Sequence, residues 1–325
     1  MKTSIALFSF FVAVLSIVLS GCGGGTPNGV AHTVAFTNDT TTTGLGGNVT
    51  DDVVVSGSKV YAATDAGGIS ISSNDGKSWT TYTTANGLAS NVVNSLSVSG
   101  STIYAATNGG LSISTTGGTS WINYTTANGL ASNTVTGVAP DGNIIYVTTN
   151  QGVSVTLNSG STWSSFSTSN GLGSLVDNAV VISGSDVYVA TAGGLSFSFI
   201  GGSSWTNLTT SSGLPSDDIT SLAISGTAIY AGTSEGLSVS VNGGTSWTTY
   251  TTSNGLPSDV INGVTVSGSS IYVATPAGVS VSTNGGLSWV TYTSSNGLGV
   301  DPVAIAVSSN TLYVATSTGV SIAKI

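Results

Sequence analysis

Tryptophan falls at positions 79, 121, 163, 205, 247 and 289, always 42 residues apart, and the chain has no others. Tyrosine forms a second column at 61, 104, 146, 188, 230, 272 and 313. Large rings at fixed spacing mean that one packing unit is copied along the chain, and a period of about 40–45 residues is that of a four-stranded propeller blade. The unit around Tyr272 shows the strands: VINGVTV (260–266), IYVAT (271–275), VSVST (279–283) and SWVTYT (288–293). β-Branched or aromatic residues alternate with small polar ones, and Gly, Ser and Asn clusters separate the runs. No segment has helical periodicity, so the class is all-β.

The ends give the blade count. The C-terminal unit has LYVAT (312–316) and GVSIAKI (319–325), with no Trp strand after them. An unpaired strand, TVAFT (33–37), stands near the N-terminus. An aromatic or apolar residue follows each Trp by three positions, as in Tyr82, Tyr124 and Phe166, and Phe36 is expected to fill that place in the orphan strand. The expectation is a seven-bladed β-propeller over 32–325, closed by the N-terminal strand completing the last blade. Open sheet edges template aggregation, and closure removes them.

The first residues read as a processing signal. Lys2 precedes an apolar run from Ile5 to Leu19, shorter than the roughly 20 residues of a membrane span. The run ends in Leu19-Ser20-Gly21-Cys22, which resembles the lipobox of bacterial lipoproteins. That resemblance implies a signal peptide over 1–21, lipidation of Cys22, and a flexible tether over 22–31. Cys22 is the only cysteine, so no disulfide can form within one chain. Gly23 in place of Asp implies the outer membrane over the inner, by the same resemblance.

Charged residues are only 5% of the chain, which has 45 glycines and no arginine. Loss of Lys2 would leave three lysines against thirteen acids. Nucleic acid is excluded as a partner, because phosphate neutralisation needs Lys or Arg.

Two motifs recur. Ser72-Ser73-Asn74-Asp75-Gly76-Lys77-Ser78-Trp79 and its copies resemble the Asp-box (BNR) repeat of sialidase-like propellers. Here Asn74, Thr116, Asn158, Ile200, Asn242 and Asn284 stand at the Asp position. Asx residues and glycine favour turns, so these segments are expected to be hairpin turns that seat Trp between blades. The second motif, Gly255-Leu256-Pro257-Ser258-Asp259, recurs at Gly213, Gly87 and Gly129. With the Ile-Tyr segments that follow, it resembles the two-component-regulator propeller repeat of periplasmic sensors. No kinase or receiver segment accompanies it here.

The candidate ligand-binding residues are Asn48, Asn91, Asn133, Asp217, Asp259 and Asp301, each just before an innermost strand, with Leu175 breaking the column. Carboxylates there would suit a hard cation such as calcium, sugar hydroxyls, or a partner's lysines. The alternative is an Asx turn leading into each strand. No catalytic or metal-ligating set is selected. The sialidase resemblance lacks its arginines, His32 is the one histidine, and Glu235 is the one glutamate. Among Asp217, Asp218 and Asp259 nothing singles out a pair for glycoside chemistry. Unit four departs from the repeat at Leu175, Phe199 and Ile200, always toward apolar character, which favours partner contact over chemistry. The reading is a non-catalytic, monomeric envelope lipoprotein that binds a protein or glycan at one ring face. The alternatives are a glycan-active hydrolase or lyase using rim Asp residues, and an envelope-assembly or sensory accessory factor.

Overall fold

The computed structural model describes residues 34–325. The leader, Cys22 and the tether lie outside them. Val34–Ile325 is one compact unit and holds every strand among the described residues. Among the described residues no helix is long and apolar enough to cross a membrane.

The strands form seven four-stranded antiparallel sheets, each a simple meander. Blade one is Thr50–Ser56, Lys59–Thr64, Gly68–Ser72 and Thr80–Tyr82. Blades two to six repeat this order from Val93–Ser99, Val135–Asp141, Asp177–Ser183, Ile219–Ser225 and Gly263–Ser267. Blade seven is Ala304–Ser308, Thr311–Thr316 and Gly319–Lys324, and its fourth strand is Thr37–Asp39. Fourth strands have three residues, shorter than the run SWVTYT suggested.

One end of every sheet, the link face, carries the inter-blade links and the turns between second and third strands. The opposite end, the turn face, carries the first hairpin and the turn preceding each Trp.

The Gly-Leu motif builds the links. Each has a Thr or Ser N-cap, one 3-10 turn, and a glycine with φ between 83° and 108° (Gly44, Gly87, Gly129, Gly171, Gly213, Gly255, Gly297). A side chain is costly at such an angle, so glycine is required. The leucine after each glycine, from Leu45 to Leu298, is only 3–4% exposed and is driven between two blades. Burying one contributes roughly 1.5–3 kcal/mol. Each Trp packs into the same joints, as Trp205 does against Tyr146 and Phe166 at ring centroid distances of 6.5 and 6.1 Å.

The turns before Trp behave as the Asx reading requires. In blade one the Asn74 Oδ1 accepts from the Ser78 amide at 3.0 Å, and the Gly76 amide donates to Ser72 Oγ at 2.9 Å. Blades five and six repeat both bonds. In blade four Ile200 stands at the Asn position, and Ser198 Oγ donates to the Ser204 carbonyl at 2.8 Å instead.

The closing strand lies further along the chain than TVAFT, and this corrects the role of Phe36. Thr37 pairs with Ile322 and Asp39 with Val320, whereas in blade one Thr80 pairs with Ile71 and Tyr82 with Ile69. Phe36 therefore stands where the other blades have Trp, and Asp39 where they have Tyr. Its amide donates to the Asn296 carbonyl at 2.8 Å, as the Trp205 amide does to that of Asn170 at 2.9 Å. Phe36 meets Tyr292 edge-on at 5.9 Å, the distance at which Trp289 meets Tyr250. Phe36→Ala should destabilise the fold by about 3–5 kcal/mol and lower the melting temperature by about 10 °C. An unchanged calorimetric melting point would contradict this role for the seam.

Candidate functional site

Seven inner strands surround a central channel of about 480 Å³. In a meander the innermost strand has an unpaired edge, so backbone amides and carbonyls face this space. Side chains at its link-face end tie each blade to the next. Asn94 Nδ2 donates to the Val135 carbonyl at 2.6 Å, Asn178 Nδ2 to that of Ile219 at 2.7 Å, and Asn262 Nδ2 to that of Pro302 at 2.9 Å. Thr136 and Thr220 hydroxyls do the same for the Asp177 and Ile261 carbonyls, each at 2.5 Å. At the seam between blades seven and one, the Thr50 hydroxyl takes over, 2.8 Å from the Thr316 and Gly319 carbonyls.

Blade one breaks this belt with acids. Asp51 stands in the donor column but is a carboxyl group, and burial, then the charges of Asp65 and Asp52, push it up to about 6. Asp52 supplies the tie instead. Its Oδ2 accepts from the Leu96 amide at 2.9 Å and the Ser95 hydroxyl at 3.1 Å, and its Oδ1 from its own neighbour Val53 at 2.8 Å. Burial still holds the Asp52 pKa above the ordinary range, against the lowering by those bonds.

The predicted polar column lies at the link face, and most of it performs one structural task. Oδ1 of Asn48, Asn91 and Asn133 accepts, at 2.8 Å, the first free amide of the 3-10 turn, from Thr41, Thr84 and Thr126 respectively. Asp217 and Asp259 accept from Thr210 and Thr252 at 2.7 Å. Helix starts leave such amides unpaired, and a side-chain oxygen satisfies one of them. Asp301 departs from this pattern. Blade seven's first strand starts six residues after Leu298, whereas blade six's starts seven after Leu256. In that shorter link Asp301 is exposed with φ of 49°, and it does not cap the turn. The structure thus sets these six residues around one face, with one oxygen each of five engaged by backbone. Among the described residues no three His, Cys, Asp or Glu side chains converge as a metal-binding group.

Apolar side chains share this face. Val49, Leu175, Val176, Val260 and Val300 in the links are 37–55% exposed. Seven of the thirteen acids accompany them there: Asp65, Asp217, Asp218, Glu235, Asp259 and Asp301 in the links and turns, and Asp51 at the channel mouth. All three described lysines lie on the turn face, at Lys59, Lys77 and Lys324.

Sequence reasoning marked Leu175 and missed its counterpart two residues later. Asp177 is fully buried, and neither carboxylate oxygen has a hydrogen-bond partner. The equivalent residues Val93, Val135, Ile219 and Ile261 are apolar and 0% exposed. Blade four therefore inverts the pattern, turning Leu175 to solvent and Asp177 inward. Comparison of that one column would have found it.

A scan against protein-family models returned no match, and no curated protein matched the sequence. Solved structures are similar in fold at low identity. The extracellular domain of a hybrid two-component system from B. thetaiotaomicron aligns with a TM-score of 0.74 at 17% identity, over 89% of this chain and 42% of that one. The chain thus spans about two-fifths of that neighbour. YCF48 bound to a D1 peptide aligns with a TM-score of 0.69 at 15% identity, covering 91% of this chain and 98% of that one. The Niastella koreensis GH74 enzyme aligns with a TM-score of 0.68 at 19% identity, over 89% and 53%. At these identities the likeness establishes the seven-bladed fold alone.

Burial pushes the Asp177 carboxyl up to about 7 from 3.8. The folded chain then holds a proton that the unfolded chain has lost, so this group's contribution to stability falls as pH rises from about 4 to about 7 and stays level above that. Asp177→Val restores the apolar type found at this position in blades two, three, five and six. At pH 8 the variant should exceed the parent in stability by up to roughly 4 kcal/mol, and the gap should narrow below about pH 5. Calorimetry at the two pH values checks it, and a gap independent of pH would refute it.

Proposed function

We propose that this chain is a bacterial envelope lipoprotein, anchored through Cys22, whose propeller is a non-catalytic scaffold holding a protein or glycan ligand at the link face. The observation that carries this reading is the composition of that face. Exposed valines and Leu175 are interspersed with carboxylates along the rim from the link into blade four round to blade one, while the column residues that capping engages hold the links in place. A surface of that kind offers apolar contact and hydrogen-bond acceptors on rigid supports, which suits recognition. Neighbours described as extracellular domains of hybrid two-component systems support an envelope location, and YCF48, a ring of like fold described as bound to a D1 peptide, supports a peptide as one class of ligand.

The second reading, a glycan-active enzyme, has support from the GH74 neighbour. Its carboxylates would come from rim residues such as Asp217, Asp218 and Asp259, and the Oδ1 atoms of Asp217 and Asp259 are already tied to backbone amides. A calcium ion at the same rim would need oxygen ligands beyond those two.

A glycan and peptide panel with and without calcium, read by thermal shift, separates these readings. The scaffold reading expects a ligand that raises the melting point without being consumed. Leu175→Asp with Val260→Asp should weaken its binding at least about tenfold and leave the unliganded melting point unchanged, since both side chains are exposed. Turnover of a glycan that is lost in Asp217→Asn or Asp259→Asn would overturn it.

A further inference from the structure

The two faces of the ring differ in charge. The link face holds seven acids and, among the described residues, no lysine. On the turn face Lys59, Lys77 and Lys324 balance Asp75, Asp141 and Asp186 of its hairpins and turns. Asp39 is half-buried beside Gly76, in the joint between blades seven and one.

The turn face also presents apolar side chains where the repeat has polar ones. At the position ending each third strand, blades three, four and five carry Leu157, Phe199 and Val241, exposed to 55, 74 and 73%. Blades one, two and six have Ser73, Thr115 and Thr283 there. Leu287, 85% exposed, precedes Ser288-Trp289 where every other copy of the turn has Lys, Ser or Thr. Leu157, Phe199 and Val241 hold equivalent places in the repeat, so they stand at one height above the ring plane. Exposed apolar groups of this kind mark a contact surface, and mixed with lysines they suit the headgroup zone of a bilayer.

The chain enters the ring on this same face. Phe36 stands in the Trp position, at the turn-face end of its blade, and Val34 and Ile325 pack on the same apolar cluster there. Only residues 23–33 separate Cys22 from Val34, and a stretch of that length spans at most roughly 40 Å. An anchor at Cys22 therefore brings the turn face to the lipid without drawing those residues out. Turning the link face to the lipid would draw them along the height of a blade, about 20 Å of strand besides the turns. It would also press seven acids toward the lipid phosphates, against their repulsion.

We propose that the turn face rests on the phospholipid surface that holds the lipidated Cys22, with Leu157, Phe199, Val241 and Leu287 entering the headgroup zone and the three lysines pairing with lipid phosphates. This rests on the lipoprotein reading and gives it a direction: the link face points away from the membrane, open to its ligand.

Fluorescence quenching by brominated lipid tests the proposal on the full lipidated protein, reconstituted in vesicles of phosphatidylethanolamine and phosphatidylglycerol. Acylation leaves Cys22 no free thiol, so one introduced cysteine takes the fluorophore. Thr115→Cys places it on the turn face and Ser234→Cys on the link face, both at exposed positions. The label at position 115 should be quenched at least about twofold more than that at 234. Adding Phe199→Asp with Val241→Asp should shrink that difference and leave the melting curve by circular dichroism unchanged, since both side chains are exposed. Equal quenching at the two positions, stronger quenching at 234, or a difference untouched by the two Asp substitutions would each overturn the proposal and leave the scaffold reading standing. Mass spectrometry of Cys22 separates the two failures: an unacylated chain overturns the lipoprotein reading and this proposal with it.

Discussion

Each blade is a sheet with two apolar faces, and neither can be left to water. That constraint governs the whole molecule. A blade alone would expose its Tyr and Leu columns, so every blade needs a neighbour on both sides, and a row of such blades is stable only as a ring. The joint is the unit of stability, built from a leucine driven in by the link, an aromatic ring from the fourth strand, and a tyrosine from the second. Side chains such as Asn94 and Thr136 tie the inner strands across most joints by donating to the next blade's carbonyl. At the seam the same needs are met by different residues. Phe36 takes the place of Trp, and Thr50 takes the place of the Asn and Thr donors.

Much of this was legible in the sequence because the repeat is nearly invariant in length. The Trp and Tyr columns gave period, strand number and blade count, and the missing last Trp strand pointed to the N-terminus as its replacement. The position of Phe36 was misjudged by three residues. Phe serves equally well in the Trp and Tyr slots by size, and only the pairing of Thr37 with Ile322 decides between them. The single-turn 3-10 helices were illegible because three residues are too few to show a period. Their marker, Thr or Ser followed by Gly-Leu, was visible as a motif without its geometry.

The candidate site was legible as a column and not as a role. Asn48, Asn91, Asn133, Asp217 and Asp259 do stand around one face, but a linear sequence gives no hint that Oδ1 of each meets an amide seven residues earlier. Asp301 escapes that task only because its link is shorter. The acids that disturb the frame, Asp51, Asp52 and Asp177, drew no attention in the sequence because Asp is unremarkable beside a turn. Their burial gives them meaning: Asp52 clamps two blades together, and burial raises the pKa of Asp177 in a slot that four other blades fill with Val or Ile.

The division of labour between the two faces follows. Links must be rigid to set blade spacing, so the link face offers a fixed rim of apolar and acidic groups. Turns before Trp tolerate variation in their outward residues, and there the arc from Leu157 to Val241 has departed from the repeat.

The central claim is that the seam is as strong as any other joint, so that the ring unfolds as one body. Native-state amide hydrogen exchange measures this directly. If the claim holds, the amides of Val320 to Ile322, which lie against the closing strand, exchange with the same opening free energy as those of the third strands in blades two and five. Faster exchange confined to blade seven, showing that it opens while the other six stay protected, would contradict the account.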